Sequence, residues 1–296
     1  MRILILGGNG MVGHKMYILL SKIYQDTWVT LRKNLRSYRY AQIYNSEKVI
    51  DNIDLNNFQT LLNYLDKINP DIVINASGIT IRRGVEVSKS NTIILNSALP
   101  HFLNEWVISN NKRLIHFSTD CVFSGKKGNY FDNDIKDAYD LYGTSKSMGE
   151  VVNSNHTITL RGSMIGRELE NKTELFEWFL SQKNSSIKGF CNVIYSGITT
   201  NKMAEIVLKI IKEYPYLNGI FNVSSIPISK FNLLKLWNDN FNNNSLIKKD
   251  NSYTSNKNLI SDIFFNKINL EQPNWEELVH QLKIEDQSLN NLYNSK

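Results

Sequence analysis

Near the start the chain reads Arg2-Ile3-Leu4-Ile5-Leu6-Gly7-Gly8-Asn9-Gly10-Met11-Val12-Gly13, an apolar run that breaks into glycines and then continues with helical spacing. The four apolar residues after Arg2 predict a buried strand over 2–6, and Met11, Val12, Met16, Leu19 and Leu20 predict a helix over 11–21. Between them the glycines satisfy Gly-x-Gly-x-x-Gly through Gly8, Gly10 and Gly13, and Gly-x-x-Gly-x-x-Gly through Gly7, Gly10 and Gly13. Either spacing permits a tight turn and lets backbone amides at a helix N-terminus approach a pyrophosphate. A glycine triplet alone marks many ordinary turns, but one placed between a first strand and a first helix predicts a dinucleotide site.

Outward from this turn the first half alternates short Val/Ile-rich runs with helical patterns. Strands are expected at 28–31, 49–50, 71–76, 114–118 and 157–160, and helices at 55–68, 90–109 (kinked at Pro100) and 142–153. Such alternation implies an α/β fold built on a doubly wound parallel sheet, with ligands at the carboxyl ends of its strands. The second half is less regular. Helices are expected at 174–181 and 201–212, a strand at 219–224, and an exposed loop in the Asn-rich stretch 238–245. The division expected is a nucleotide-binding domain over 1–160 and a smaller, mainly substrate-binding lobe over 161–296, with some of its segments returning to the first domain.

The 296 residues are 42% hydrophobic and 21% charged, ordinary for a globular chain. The net charge of +6 is scattered, with short basic pairs such as Lys126-Lys127, Lys248-Lys249 and Arg82-Arg83 and no longer run. That scatter argues against nucleic acid and for a polyanionic cofactor and substrate. No apolar run reaches the length of a membrane span, no cleavable leader precedes the first strand, and two cysteines make no disulfide framework; the chain reads as cytoplasmic. Five histidines stand in no metal-ligand spacing, so no metal is expected.

The second strand ends Val29-Thr30-Leu31-Arg32-Lys33, with no carboxylate to hold a ribose 2′-hydroxyl. Arg32 can instead meet a 2′-phosphate, which favours NADP(H) and leaves NADH open. Tyr142-Gly143-Thr144-Ser145-Lys146 sets a phenol and an ammonium at i and i+4 on one helix face, where the ammonium is expected to lower the phenol pKa. The pair follows Phe117-Ser118-Thr119-Asp120, at the carboxyl edge of the fifth strand, so a hydroxyl there can reach a reacting carbonyl.

At these residues the chain resembles the extended short-chain dehydrogenases, which carry a Rossmann fold. Ser118-Thr119-Asp120-Cys121-Val122-Phe123-Ser124-Gly125 is similar to a stretch of the dTDP-4-dehydrorhamnose reductases and their relatives. Asn75-Ala76-Ser77-Gly78, Asn96-Ser97-Ala98-Leu99-Pro100 and Leu160-Arg161-Gly162-Ser163-Met164-Ile165-Gly166 continue the likeness, which fades after about Ser225. The resemblance implies reduction of a keto group on a nucleotide-linked deoxysugar, for surface polysaccharide or glycan precursors. It implies a catalytic trio of Thr119, Tyr142 and Lys146. It further implies a cofactor held by Gly7, Asn9, Gly10, Met11, Val12, Asp51, Asn52, Ala76, Ser77, Gly78 and Ser118, with Tyr142 and Lys146 at its nicotinamide ribose. Thr119 and Met164 would meet the substrate, and a homodimer is an assembly open to such a chain.

Two departures sharpen this. Met164 stands where the rhamnose-pathway reductases carry a Trp beside the sugar. Cys121 stands where sugar-nucleotide 4,6-dehydratases carry the Glu that removes the C5 proton, and a neutral thiol is a poor base, which argues against dehydration. The rivals are an epimerase of the same superfamily and a non-catalytic NADP-binding regulatory subunit. Asp120 is expected to cap the strand end, and Trp178 and Phe179 to pack in the core.

Overall fold

The structure is a computed structural model that describes residues 1–80 and 88–294; the Arg82-Arg83 pair lies outside them. Strand β1 (Ile3–Leu6) leads into helix α1 (Gly13–Leu20), then β2 (Thr27–Thr30), β3 (Val49–Ile50), α2 (Phe58–Ile68) and β4 (Ile72–Asn75). Helices α3 (Lys89–Ile93) and α4 (Leu99–Ser109) flank a π-helical segment, Ile94–Ala98. Then come β5 (Arg113–Ser118), α5 (Leu141–Met148) and β6 (Thr157–Arg161). The rest comprises β7 (Met164–Ile165), α6 (Leu175–Ser181), β8 (Ser186–Tyr195), β9 (Ile198–Thr199), α7 (Thr200–Glu213), β10 (Gly219–Asn222), β11 (Ile228–Ser229), α8 (Lys230–Phe241), β12 (Leu246–Asn256), α9 (Asp262–Lys267), α10 (Trp275–Ser288) and α11 (Asn290–Asn294).

Seven strands form one parallel sheet in the order β10-β6-β5-β4-β1-β2-β3. The chain thus winds outward from β1 in both directions, and the crevice where the order reverses lies beyond the carboxyl ends of β1 and β4. The continuous apolar strands follow from burial on both faces. Ile3, Ile5, Ile72, Ile74, Ile115 and Phe117 pack in one core layer, whereas Leu4, Leu6, Val73 and Leu114 pack in the other. In the second half, β10 pairs with β6 in the large sheet and α7 packs on α1. The three-stranded sheet β11-β8-β12, covered by α8, forms a separate layer.

Several expectations are revised. The helix predicted over 142–153 ends at Met148, because a Cβ on Gly149 would stand 1.9 Å from the Asn96 carbonyl oxygen and Gly149 closes the helix instead. The kink placed at Pro100 is a π-helical turn just before it. Proline has no N–H to bond the Asn96 carbonyl, and the widened turn carries Asn96 and Ser97 inward, both buried. The Asn-rich stretch is no exposed loop. Residues 238–241 finish α8, Asn242 caps it in the left-handed conformation, and Asn243 and Ser245 are buried and hydrogen-bonded to each other.

Candidate active site

The glycine-rich turn is fixed by its own backbone. Gly8 N–H donates to the Thr30 carbonyl at 2.9 Å, Gly7 N–H to the Thr30 hydroxyl at 3.0 Å, and Gly10 N–H to the Gly7 carbonyl at 3.0 Å. Gly7 has φ +78°, and a Cβ on Gly13 would stand 2.1 Å from the Gly7 carbonyl oxygen, so neither position accepts a side chain. Beyond the turn opens a cavity of about 560 Å³ lined by Gly7, Asn9, Gly10, Met11, Arg32, Ala76, Ser77 and Gly78, all expected cofactor contacts. Asn75 holds the floor, its Oδ1 accepting from the Ser77 amide at 3.2 Å and hydroxyl at 2.6 Å. At the end of β2 the cavity meets Thr30, Arg32, Lys33 and Tyr38, two cations and no carboxylate.

Other expected contacts lie elsewhere. Val12 packs against the core at the start of α1. Asp51 accepts from the Leu35 amide at 2.8 Å and so holds the loop after β2, while Asn52 turns the chain in the left-handed conformation; the following residues, Ile53 to Asn56, line the cavity instead. Ser118 is buried, and its hydroxyl donates to Glu150 at 2.6 Å.

The expected trio sits at the carboxyl edge of β5. Thr119 caps the turn after the strand, accepting from the Cys121 amide at 3.1 Å, and its hydroxyl, beside the Tyr142 phenol, donates to Asp120 at 3.1 Å. Asp140 starts α5 by accepting from Gly143 N–H at 2.9 Å, which aims Tyr142 at Thr119 and Lys146 under the sheet edge. Lys146 is buried and donates to the Phe117 carbonyl at 2.7 Å, and a Cβ on Gly78 would stand 4.0 Å from its Nζ. The trio therefore adjoins the cavity wall.

The phenol pKa moves opposite to the sequence expectation. Burial raises it, and the neighbouring Cys121 and Asp120 raise it further, while the Thr119 hydroxyl opposes them only in part. The Lys146 ammonium is turned to the Phe117 carbonyl, and burial lowers its own pKa to about 8. Tyr142 is thus kept protonated, the form that can donate. The Cys121 thiol is pushed up to about 12 by burial, and it is no base at neutral pH. Asp120 lies at the strand end beside Thr119, and Phe179 is fully buried in the core with Trp178 packed against it.

Several residues around the site escaped the sequence reading. Asn96, carried inward by the π turn, accepts from Ile79 N–H at 2.8 Å and donates to the Ile79 carbonyl and the Ser145 hydroxyl, clamping α5 to the segment after β4. Glu150 is buried against Arg161, which donates to it through Nε and Nη2, both at 2.8 Å, with Lys136 at 3.1 Å. Burial alone would raise the Glu150 carboxyl, but these partners hold it below the usual range. Lys230 lies 3.3 Å from the ring centre of Tyr195, whose hydroxyl donates to the Ser163 carbonyl at 3.4 Å. Burial lowers Lys230 to about 7, with Asp120 and Cys121 acting across the site against that shift. Met164 is half-buried on β7, paired with β9.

The family model described as the RmlD substrate binding domain matches residues 1–224. The chain belongs to that family. Among curated relatives, a dTDP-4-dehydrorhamnose reductase of Aggregatibacter actinomycetemcomitans is 30% identical over 59% of this chain and 62% of its own length. The chain spans from 45% to 62% of the length of the curated relatives it matches. Among solved structures, the dTDP-4-dehydrorhamnose reductase of Bacillus anthracis in complex with NADP is 18% identical with a TM-score of 0.77, covering 96% of this chain and 99% of that one. A dTDP-glucose 4,6-dehydratase of Streptomyces venezuelae with NAD bound gives the same TM-score, 0.77, at 13% identity over 99% of both chains. At these identities the likeness shows the shared fold alone. No helix among the described residues is long and apolar enough to cross a membrane.

Proposed function

We propose that the chain is a cytoplasmic NADP(H)-dependent reductase of a keto group on a nucleotide-linked deoxysugar, serving surface polysaccharide or glycan synthesis. The observation that carries this reading is a protonated Tyr142 beside Thr119, next to a glycine-cradled cavity that Arg32 and Lys33 line at the β2 end. The residues fit the dinucleotide: Gly7 lets the turn close against Ser77, and Gly10 lines the cavity with no Cβ in the way of an approaching pyrophosphate. Arg32 and Lys33 suit a 2′-phosphate, whereas NADH would leave them without an anion. Bound there, the cofactor supplies the hydride.

The remaining work falls to the chain's own residues. A carbonyl oxygen between Thr119 and Tyr142 takes the Tyr142 proton, and Thr119 would turn its hydroxyl from Asp120 to that oxygen. Lys146, charged below pH about 8, lies beside Gly78 of the cavity wall, where its ammonium would hold the ribose of the bound cofactor. Asn96, Ser145 and Asp140 fix α5 so that these groups stay aligned. Dehydration would also need a base at the sugar C5, and Cys121 supplies none.

Tyr142→Phe tests the assignment. It should bind NADPH like the parent and lose about 10²–10⁴-fold in turnover. Turnover at the parent rate would refute the role of Tyr142.

A further inference from the structure

Behind the glycine-rich turn, on the side away from the cavity, lies a buried polar cluster that the proposed chemistry does not use. His14 of α1 is fully buried; its Nδ1 donates to the Gly10 carbonyl at 2.8 Å and its Nε2 lies 3.0 Å from the Tyr293 hydroxyl. Tyr293 of α11 is also fully buried, and its hydroxyl, 2.7 Å from Glu285 of α10, has one proton that serves either Glu285 or the unprotonated His14 Nε2. Lys15 forms an ion pair with the same carboxylate, and Asn201 of α7 donates to it at 2.5 Å.

Tyr293 reaches a second wall as well. Lys172 Nζ donates to its carbonyl at 2.6 Å, and the Arg167 guanidinium, paired with Glu177 and Asp286, lies 4.8 Å from its ring centre. Segment 167–172 contributes Glu168, Glu170 and Asn171 to the lining of the cofactor cavity. It also closes on the turn itself, where Asn9 donates to Glu170 at 3.2 Å. Asn171 and Lys172 are both left-handed, at φ +64° and +50°, a backbone that persists only where contacts over-determine it.

Burying His14, Lys15, Glu285 and Arg167 together is a poor route to stability, since apolar residues of similar volume serve at least as well. What the cluster does supply is geometry. One residue, through its side chain and its backbone carbonyl, lies between the glycine-rich turn and the segment that lines the opposite wall of the cavity. We infer that Tyr293 is a positioning residue for the cofactor, holding Gly10 through His14 on one wall and segment 167–172 through Lys172 and Arg167 on the other. The inference rests on the reading that this cavity takes NADP(H).

The test titrates NADPH by fluorescence into the parent, Tyr293→Phe and Lys172→Met, with no sugar nucleotide present. Kinetics follow on the folded variants. Tyr293→Phe keeps the ring and removes the hydroxyl; Lys172→Met alters an exposed side chain and spares the core. Each variant should bind NADPH about 3- to 30-fold more weakly and raise its KM alike, with kcat at saturating NADPH and KM for the sugar nucleotide within about twofold of the parent. A purely structural Tyr293 would lower the melting temperature and the active fraction while leaving the NADPH Kd unchanged, and that result overturns the inference. Should Tyr293→Phe fail to fold, an unchanged Kd in Lys172→Met overturns it alone. A parent that binds no NADPH would sink the cofactor reading itself.

Discussion

Two glycines three residues apart make a sharp prediction, because their surroundings differ. At Gly13 an added Cβ would stand 2.1 Å from the Gly7 carbonyl oxygen and 2.8 Å from its carbon, far inside the roughly 3.5 Å of a favourable contact. Those atoms belong to the tight turn and cannot swing away, so Gly13→Ala must push α1 off β1. Overpacking of this kind costs about 1–3 kcal/mol. At Gly10 the Cβ would lie 3.3 Å from the Gly7 oxygen and 3.9 Å from the Ala76 oxygen, which the fold absorbs with a shift of a few tenths of an ångström. Gly10 lines the cavity, however, and its Cβ would take up space that the proposed cofactor's pyrophosphate needs. Gly10→Ala should therefore unfold in urea within about 0.5 kcal/mol of the parent and bind NADPH about 10- to 100-fold more weakly, the equivalent of 1.4–2.8 kcal/mol. Gly13→Ala should lose both stability and binding. Urea titration and NADPH fluorescence titration of the two variants separate the effects. Parent-like NADPH affinity in Gly10→Ala would refute the cradle.

Arg32→Glu should weaken NADPH by about 1.5–3 kcal/mol more than NADH, and equal losses in a titration would clear Arg32 of selecting the cofactor. Glu150→Gln leaves the Arg161 guanidinium, 1% exposed, without its counter-charge, and should cost about 3–5 kcal/mol by urea unfolding; a loss under about 1 kcal/mol would contradict the network. Because the Glu150 carboxyl is held low in the folded chain, its contribution is present above the unfolded carboxyl pKa of about 4.3 and is lost as pH falls. For Lys146 the charge is a cost rather than a gain, though stability again rises with pH. Its pKa is depressed to about 8, so carrying the charge costs the fold stability, and that cost is relieved as pH rises past 8. Activity runs the other way and should fall above pH about 8 at saturating NADPH; a profile flat to high pH would remove Lys146 from the chemistry.

The parallel sheet was legible because its strands are buried on both faces and read as uninterrupted apolar runs, Ile3 to Leu6 and Ile72 to Ile74 among them. Tyr142 and Lys146 could be singled out because they stand at i and i+4 on one helix, and Thr119 because it follows the apolar run of β5. What the sequence hid depends on distant partners. Strand β12 carries Lys248, Lys249 and Asn251 on a largely exposed edge, with no apolar alternation to mark it. Asn96 acquires its role only because the turn before Pro100 widens, and Tyr293 only because α11 packs behind α1, 279 residues from His14. The direction of the Tyr142 shift was likewise a matter of burial, which a Tyr-x-x-x-Lys spacing does not encode. Strand β8, by contrast, alternates Ile187, Gly189 and Tyr195 inward and could have been read from its period of two.

The fold alone accommodates reduction and dehydration equally, so the central claim is tested by the balance of products. The purified protein should be given NADPH and a 4-keto-6-deoxy sugar nucleotide, with the alcohol and NADP⁺ quantified together by chromatography and mass spectrometry. The account predicts the two in equal amounts, and no 4-keto-6-deoxy product from a sugar nucleotide that still holds its 4- and 6-hydroxyls. Formation of that keto product without net cofactor consumption would contradict it.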